Sequence, residues 1–307
     1  MSIKRILLAA VAATALTIGF APIAQASQVG SGVCIERHDQ APGPEGRVRD
    51  LVRAPKVDRL QRWIKANPEL AAEAESRAAA GGGAVTVDTY IHVIRKDNTV
   101  AGGNVPQAWI DDQMDVLNDS FLGRTGGAET GFRFELKGVT RTTNKGWFNL
   151  TGYGQDEAMK EALKVGGPET LNIYTAKLGA QLLGYAYLAQ DAASVGALDG
   201  VVVHYQSLPG GNFEIYSEGD TATHEVGHWF DLFHTFEGGC EGGDHVDDTA
   251  PEASPAFRCP EGRDTCVGGG LDPITNFMDY SQDSCMFEFT EGQAVRMQQA
   301  WLAFRAP

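Results

Sequence analysis

The sequence predicts a mixed α/β fold, and three observations lead to it. Short stretches alternate apolar and polar residues and are rich in Val, Ile and Thr, as half-buried strands are. Stretches with apolar residues at helical spacing lie among them. Residues 238–287 hold four of the five cysteines amid glycine and proline, so the C-terminal part is loop-rich and, in an oxidising compartment, stapled by disulfides.

The chain opens on MSIKR, runs apolar from Ile6 to about Phe20, and reads Ala24-Gln25-Ala26 before Ser27. A basic start, a short apolar run and a small-x-small ending describe a secretory signal over residues 1–26, too short to span a bilayer. Residues 27–84 are charged and Pro/Gly-rich, then helical over VDRLQRWIKANPELAAEAESRAAA, and end in Gly81-Gly82-Gly83. That order suggests a propeptide joined by a glycine hinge to a catalytic domain over 85–307.

VTVDTYIHVIRKD, beginning at Val85, reads as a strand, and Pro106–Leu122 as a helix with Trp109, Ile110, Met114, Leu117 and Phe121 on its apolar stripe. Phe132–Leu136, Leu171–Tyr174 and Val201–Tyr205 read as further strands. FTEGQAVRMQQAWLAF is a closing helix, with Thr290 and Gln293 forming a capping box at its start. Internal repeats are not evident.

The chemistry sits in HEVGHWFDLFHTF, residues 224–236. On a helix, His224 and His228 lie ~40° apart around the axis and ~6 Å along it, so both imidazoles can reach one ion. Glu225 is placed to act as a base on water at that ion, which is what zinc hydrolysis requires. His234 stands ~240° further round, so it joins the pair only if the helix stops and the chain turns back. The other reading makes His234 a packed aromatic among Trp229, Phe230, Phe233 and Phe236.

The extended motif resembles the metzincin pattern HExxHxxGxxH, and specifically the pappalysin-like, cytophagalysin-type secreted metalloproteases. Asp231 stands where the family carries a glycine at the helix break. NFMDYSQDSCM, residues 276–286, resembles the family's Met-turn. The resemblance implies a metzincin-like zinc protease domain with a twisted mixed sheet and an active-site helix. It also implies Zn2+ on His224, His228 and His234, Glu225 as general base, Met278 as a structural floor, and Tyr280 as a zinc or transition-state contact. It favours Cys240–Cys266 and Cys259–Cys285 among the three possible pairings, which sequence alone leaves open. Relatives bind Ca2+ near Asp244 and Thr249, although a solvated acidic turn explains those residues equally well. Metzincin propeptides can silence the enzyme through a cysteine thiolate on zinc, and Cys34 is the candidate here, although GVCIER does not match the better-known switch sequence. The likeness covers most of residues 200–300.

The expectation is therefore a secreted, extracellular zinc endopeptidase acting on proteins or peptides, with its own propeptide as inhibitor. A net charge of −15 argues against nucleic acid as a partner, and no membrane association is expected once the signal is removed. Two rivals stand beside it: a non-catalytic module in which metal only stabilises a binding surface, and a zincin whose third ligand is Asp231.

Overall fold

The computed structural model describes residues 55, 57–80, 85–179 and 182–306; the expected signal over 1–26, Cys34 and Gly81–Gly83 lie outside them. Among the described residues the chain runs through α1 (Arg59–Ala66), α2 (Pro68–Ala80), β1 (Val85–Arg95), α3 (Gln107–Phe121), β2 (Phe132–Thr143), α4 (Lys145–Phe148), β3 (Asn149–Leu150) and α5 (Tyr153–Leu163). It continues through β4 (Leu171–Leu178), β5 (Gly184–Ala186), α6 (Ala192–Val195), β6 (Val201–His204), α7 (Asp220–Trp229), α8 (Gly239–Gly242) and α9 (Glu291–Ala300).

The helical stretch expected over 57–80 is two helices. Asp58 caps α1 by accepting from the amides of Leu60 and Gln61. Pro68 lacks an N–H and disfavours helical geometry at the residue before it, so Asn67 leaves the helix at φ −132°, ψ 61° and Pro68 opens α2. β2 runs well beyond Leu136, because pairing with β1 holds it as far as Thr143 across a register shift between Thr89 and Tyr90. α5 and β5 carry little periodic signal and were not expected from the sequence.

The strands lie in the order β2-β1-β4-β6-β5, with β3 beside β4. All pairs are parallel except β5–β6, so the outermost strand runs against the rest. Parallel neighbours need crossovers, and α3 supplies the one between β1 and β2. α7 packs on β5, β6 and α3, while α9 packs on α1 and α2. The main core gathers Ile91, Val93, Phe121, Phe132, Ile173, Val202, Trp229 and Phe230 between sheet and helices. Arg305, fully buried beyond α9, stacks its guanidinium 3.6 Å from the Trp229 ring centroid and donates to the Trp229 carbonyl at 2.7 Å. Burial opposes charge on Asp199, but Arg305, Lys164 and Lys160 outweigh it and hold that carboxyl below its ordinary range.

Candidate active site

α7 is buried along its whole length. It ends where Phe230 leaves the helix and Asp231 takes φ 76°. The Leu232 amide donates back to the Gly227 carbonyl at 3.0 Å and the Asp231 amide to the His228 carbonyl at 2.8 Å. This is a Schellman ending with aspartate at the left-handed position that glycine normally fills. The turn brings His234 back against the helix, as the third-imidazole reading requires.

His228 Nε2 lies 3.1 Å from His224 Nε2 and 3.2 Å from His234 Nε2. All three rings are buried, and one ligand atom from each lies within 4.8 Å of the others. His224 Nδ1 donates to the Phe277 carbonyl at 2.6 Å and His228 Nδ1 to the Leu232 carbonyl at 2.7 Å. A carbonyl only accepts, so each neutral ring carries its hydrogen on Nδ1 and turns the lone pair of Nε2 inward. Lone pairs meeting at about 3 Å repel unless a cation lies among them, and imidazole nitrogens suit zinc. The donor set fits the ion. Nδ1–H bonds to backbone carbonyls also hold ring orientation, as metal-ligating histidines generally require.

Glu225 is fully buried beside this cluster. Its neighbour is Gly184 of β5: a Cβ there would stand 2.5 Å from Glu225 Oε1 and 2.9 Å from its Cδ. A side chain at 184 would therefore displace the carboxylate. Nothing in the sequence around Gly184 marks it out, because the constraint comes from a helix forty residues away. Gly227 plays a matching part, since a Cβ there would lie 2.4 Å from Met278 Sδ. Met278 thus packs directly on α7 between the first two histidines, while the carbonyl of the preceding residue, Phe277, holds His224.

The Met-turn is tied to the closing helix. The Met278 amide donates to Asn276 Oδ1 at 2.9 Å, and Asn276 exchanges side-chain hydrogen bonds of 2.8 and 3.0 Å with Gln293. Gln293 also closes the α9 capping box with Thr290, so one residue caps a helix and fixes the turn. The Tyr280 ring lies 5.2 Å from His234 and 5.9 Å from His224, centroid to centroid, and is buried among Phe236 and Phe257.

Two disulfides staple the loop-rich part, Cys240–Cys266 and Cys259–Cys285, with Cα separations of 5.3 and 5.6 Å. Between them lies a buried carboxylate, Glu252, which accepts from Thr235 Oγ1 at 2.6 Å and from Arg263 Nη1 at 2.7 Å. Burial, then the charge of Asp279, push its carboxyl up to about 8. Thr235 follows His234 directly, so this loop is anchored to the third imidazole's own strand of chain. Asp244 Oδ1 accepts from the Val246 amide at 3.0 Å and from Thr249 Oγ1 at 2.6 Å. Burial raises the Asp244 carboxyl to about 6.

Asp231 does not join the imidazoles. Its carboxylate accepts from the Gln190 amide at 3.0 Å and from Arg296 Nη2 at 2.9 Å. Its backbone carbonyl accepts from Arg296 Nε at 2.8 Å. The three-histidine cluster is therefore assembled without it. Sequence reasoning missed Gln190 and Arg296, which stand in no motif.

Comparison with known proteins agrees with this geometry. The peptidase M43 family model, described as pregnancy-associated plasma protein-A, matches residues 184–302. Extracellular metalloprotease 1 of Coccidioides posadasii is 44% identical over 249 residues, covering 80% of this chain and 87% of that protein. An extracellular metalloprotease of Pyricularia oryzae is 43% identical over 247 residues, covering 79% and 84%. Mature mirolysin of Tannerella forsythia, solved with a cleaved peptide, superposes with a TM-score of 0.62 at 29% identity, covering 71% of this chain and 91% of that one. Promirolysin of the same organism gives 0.62 at 26%, covering 81% and 94%. With a relative this similar over four-fifths of its length, and with three converging imidazoles beside a buried glutamate, the chain belongs to the pappalysin-like peptidase M43 family of metalloproteases.

Proposed function

We propose that the protein is an extracellular zinc endopeptidase in which His224, His228 and His234 hold the ion, Glu225 moves the proton and Tyr280 steadies the reacting carbonyl. The observation that carries the reading is the meeting of three buried Nε2 atoms, two of them fixed by Nδ1–H bonds to carbonyls. A bound zinc supplies Lewis acidity, which polarises a peptide carbonyl and acidifies water. Glu225, placed next to His224 and backed by Gly184, takes the proton from the attacking water and returns it to the leaving amine. β5, the outermost strand, passes directly beside that carboxylate, so an extended peptide laid along it presents its carbonyl to Glu225. A non-catalytic module would have no use for a buried carboxylate at this point.

Protein or peptide substrates follow from the family, and the cleaved peptide bound to mirolysin supports them. Export through residues 1–26 agrees with the extracellular relatives. No helix among the described residues is long and apolar enough to cross a membrane. A removable pro-segment within the stretch that begins at Ser27 is supported by the existence of a proenzyme form in a similar protein. Cys34 as the silencing thiolate belongs to that reading, and lies outside the described residues. Calcium at Asp244 and Thr249 is the second metal in the proposal: Oδ1 has its two donors, while Oδ2 is buried with none among the described residues. The thermal midpoint should rise on adding calcium to chelator-treated protein and fail to rise in Asp244→Asn; an equal response in both removes calcium from this site.

Glu225→Gln should retain zinc and lose about 10³-fold or more in peptide cleavage. His234→Ala should lose zinc, and Asp231→Ala should lose far less. Cleavage by the Glu225→Gln protein at the wild-type rate would overturn the assignment.

A further inference from the structure

The residues just before and at the start of α1 reach into the turn that delivers His234. Asp58 uses one oxygen, Oδ1, to cap α1 and the other, Oδ2, to accept from Arg296 Nη1 at 3.1 Å. Arg296 is nearly fully buried and clasps Asp231 twice, at carboxylate and carbonyl. A second route runs in parallel. The Arg59 amide donates to Gln190 Oε1 at 3.0 Å, and Gln190 donates to the Asp231 carboxylate through its amide at 3.0 Å and its Nε2 at 3.2 Å. Arg59 also pairs with Asp191. Leu60, with no exposed surface, packs against Ala189 and Ala300 beneath these links.

Asp231 is the one residue between His228 and His234 held in left-handed geometry. An aspartate there costs more than a glycine would, and its carboxylate is fully buried against Arg296. Such a position persists only when its surroundings over-determine it. Two of the residues that do so here, Asp58 and Arg59, lie within the stretch that composition assigns to a propeptide.

We infer that Asp58–Ala80 is a permanent part of the working enzyme: Asp58, acting through Arg296 and Asp231, is a positioning residue for His234, and any removable pro-segment ends before Asp58. The inference rests on reading His234 as the third ligand, but its main test does not.

The N-terminus of the active, secreted protein should be determined by mass spectrometry. A start anywhere from Ser27 to Asp58 supports the inference. A fully active protein starting between Gly81 and Val85 overturns it. Asp58→Asn is the companion variant, because asparagine still caps a helix but removes the charge that Asp58 turns toward Arg296. Zinc affinity, measured by competition with a chelator, should fall about tenfold in Asp58→Asn, as for other residues that orient metal ligands. The d–d spectrum of the cobalt-loaded variant should shift with it. Unchanged affinity and spectrum would reduce Asp58 to a helix cap. Loss of zinc from His234→Ala checks the underlying ligand reading separately.

Discussion

Two glycines and an aspartate set the geometry of the site as firmly as the histidines do. Gly184 and Gly227 each leave a gap that a neighbouring side chain fills, Glu225 in one case and Met278 in the other. Gly184→Ala should keep the fold and the zinc yet lower kcat about a hundredfold, the order expected when a catalytic group is displaced by an ångström. Steady-state kinetics beside metal analysis checks this, and a wild-type kcat would show that Glu225 has room to spare. The histidines and Glu225 were legible because ligand spacing is written locally along a helix. Gly184 was not, because its reason for being small lies in another element. Asp231 was legible as a departure from the family pattern, but nothing near it in the chain hints that its carboxylate answers to Gln190 and Arg296.

Among the elements, periodicity served best where a face is long and regular, as in β1 and α3. It failed for β5, whose three residues are all buried and leave no alternation to read. It also merged α1 with α2, because both present apolar residues at similar spacing and only Asn67-Pro68 separates them. The loop between the disulfides had no periodic signal at all, and its order comes from Glu252, Thr235, Arg263 and Asp272. That loop should confer a pH dependence. Glu252 holds its proton up to about 8 in the folded protein, whereas an unfolded glutamate releases it near the ordinary 4.5. Between those values the folded state binds more protons, so stability falls as pH rises and levels off beyond them. Glu252→Gln, a mimic of the protonated form, should flatten the curve. Thermal unfolding from pH 5 to 9 reads this directly, and parallel curves for variant and wild type would contradict it.

At the scale of the whole molecule, the mixed α/β class and the loop-rich C-terminal part were legible from patterning, but the order of the strands was not. Strand order depends on which crossovers close, and that is settled by packing between residues far apart in sequence. The same distance governs α9. Arg296 steadies the bend after α7, Gln293 fixes the segment under it, and Arg305, just beyond, satisfies the last carbonyl of α7. All three lie among the final described residues, more than sixty positions after the first histidine. A chain still being made has none of these supports until the residues as far as Arg305 have emerged. The three imidazoles therefore gain their full support only after a segment far downstream of them has been made and folded back.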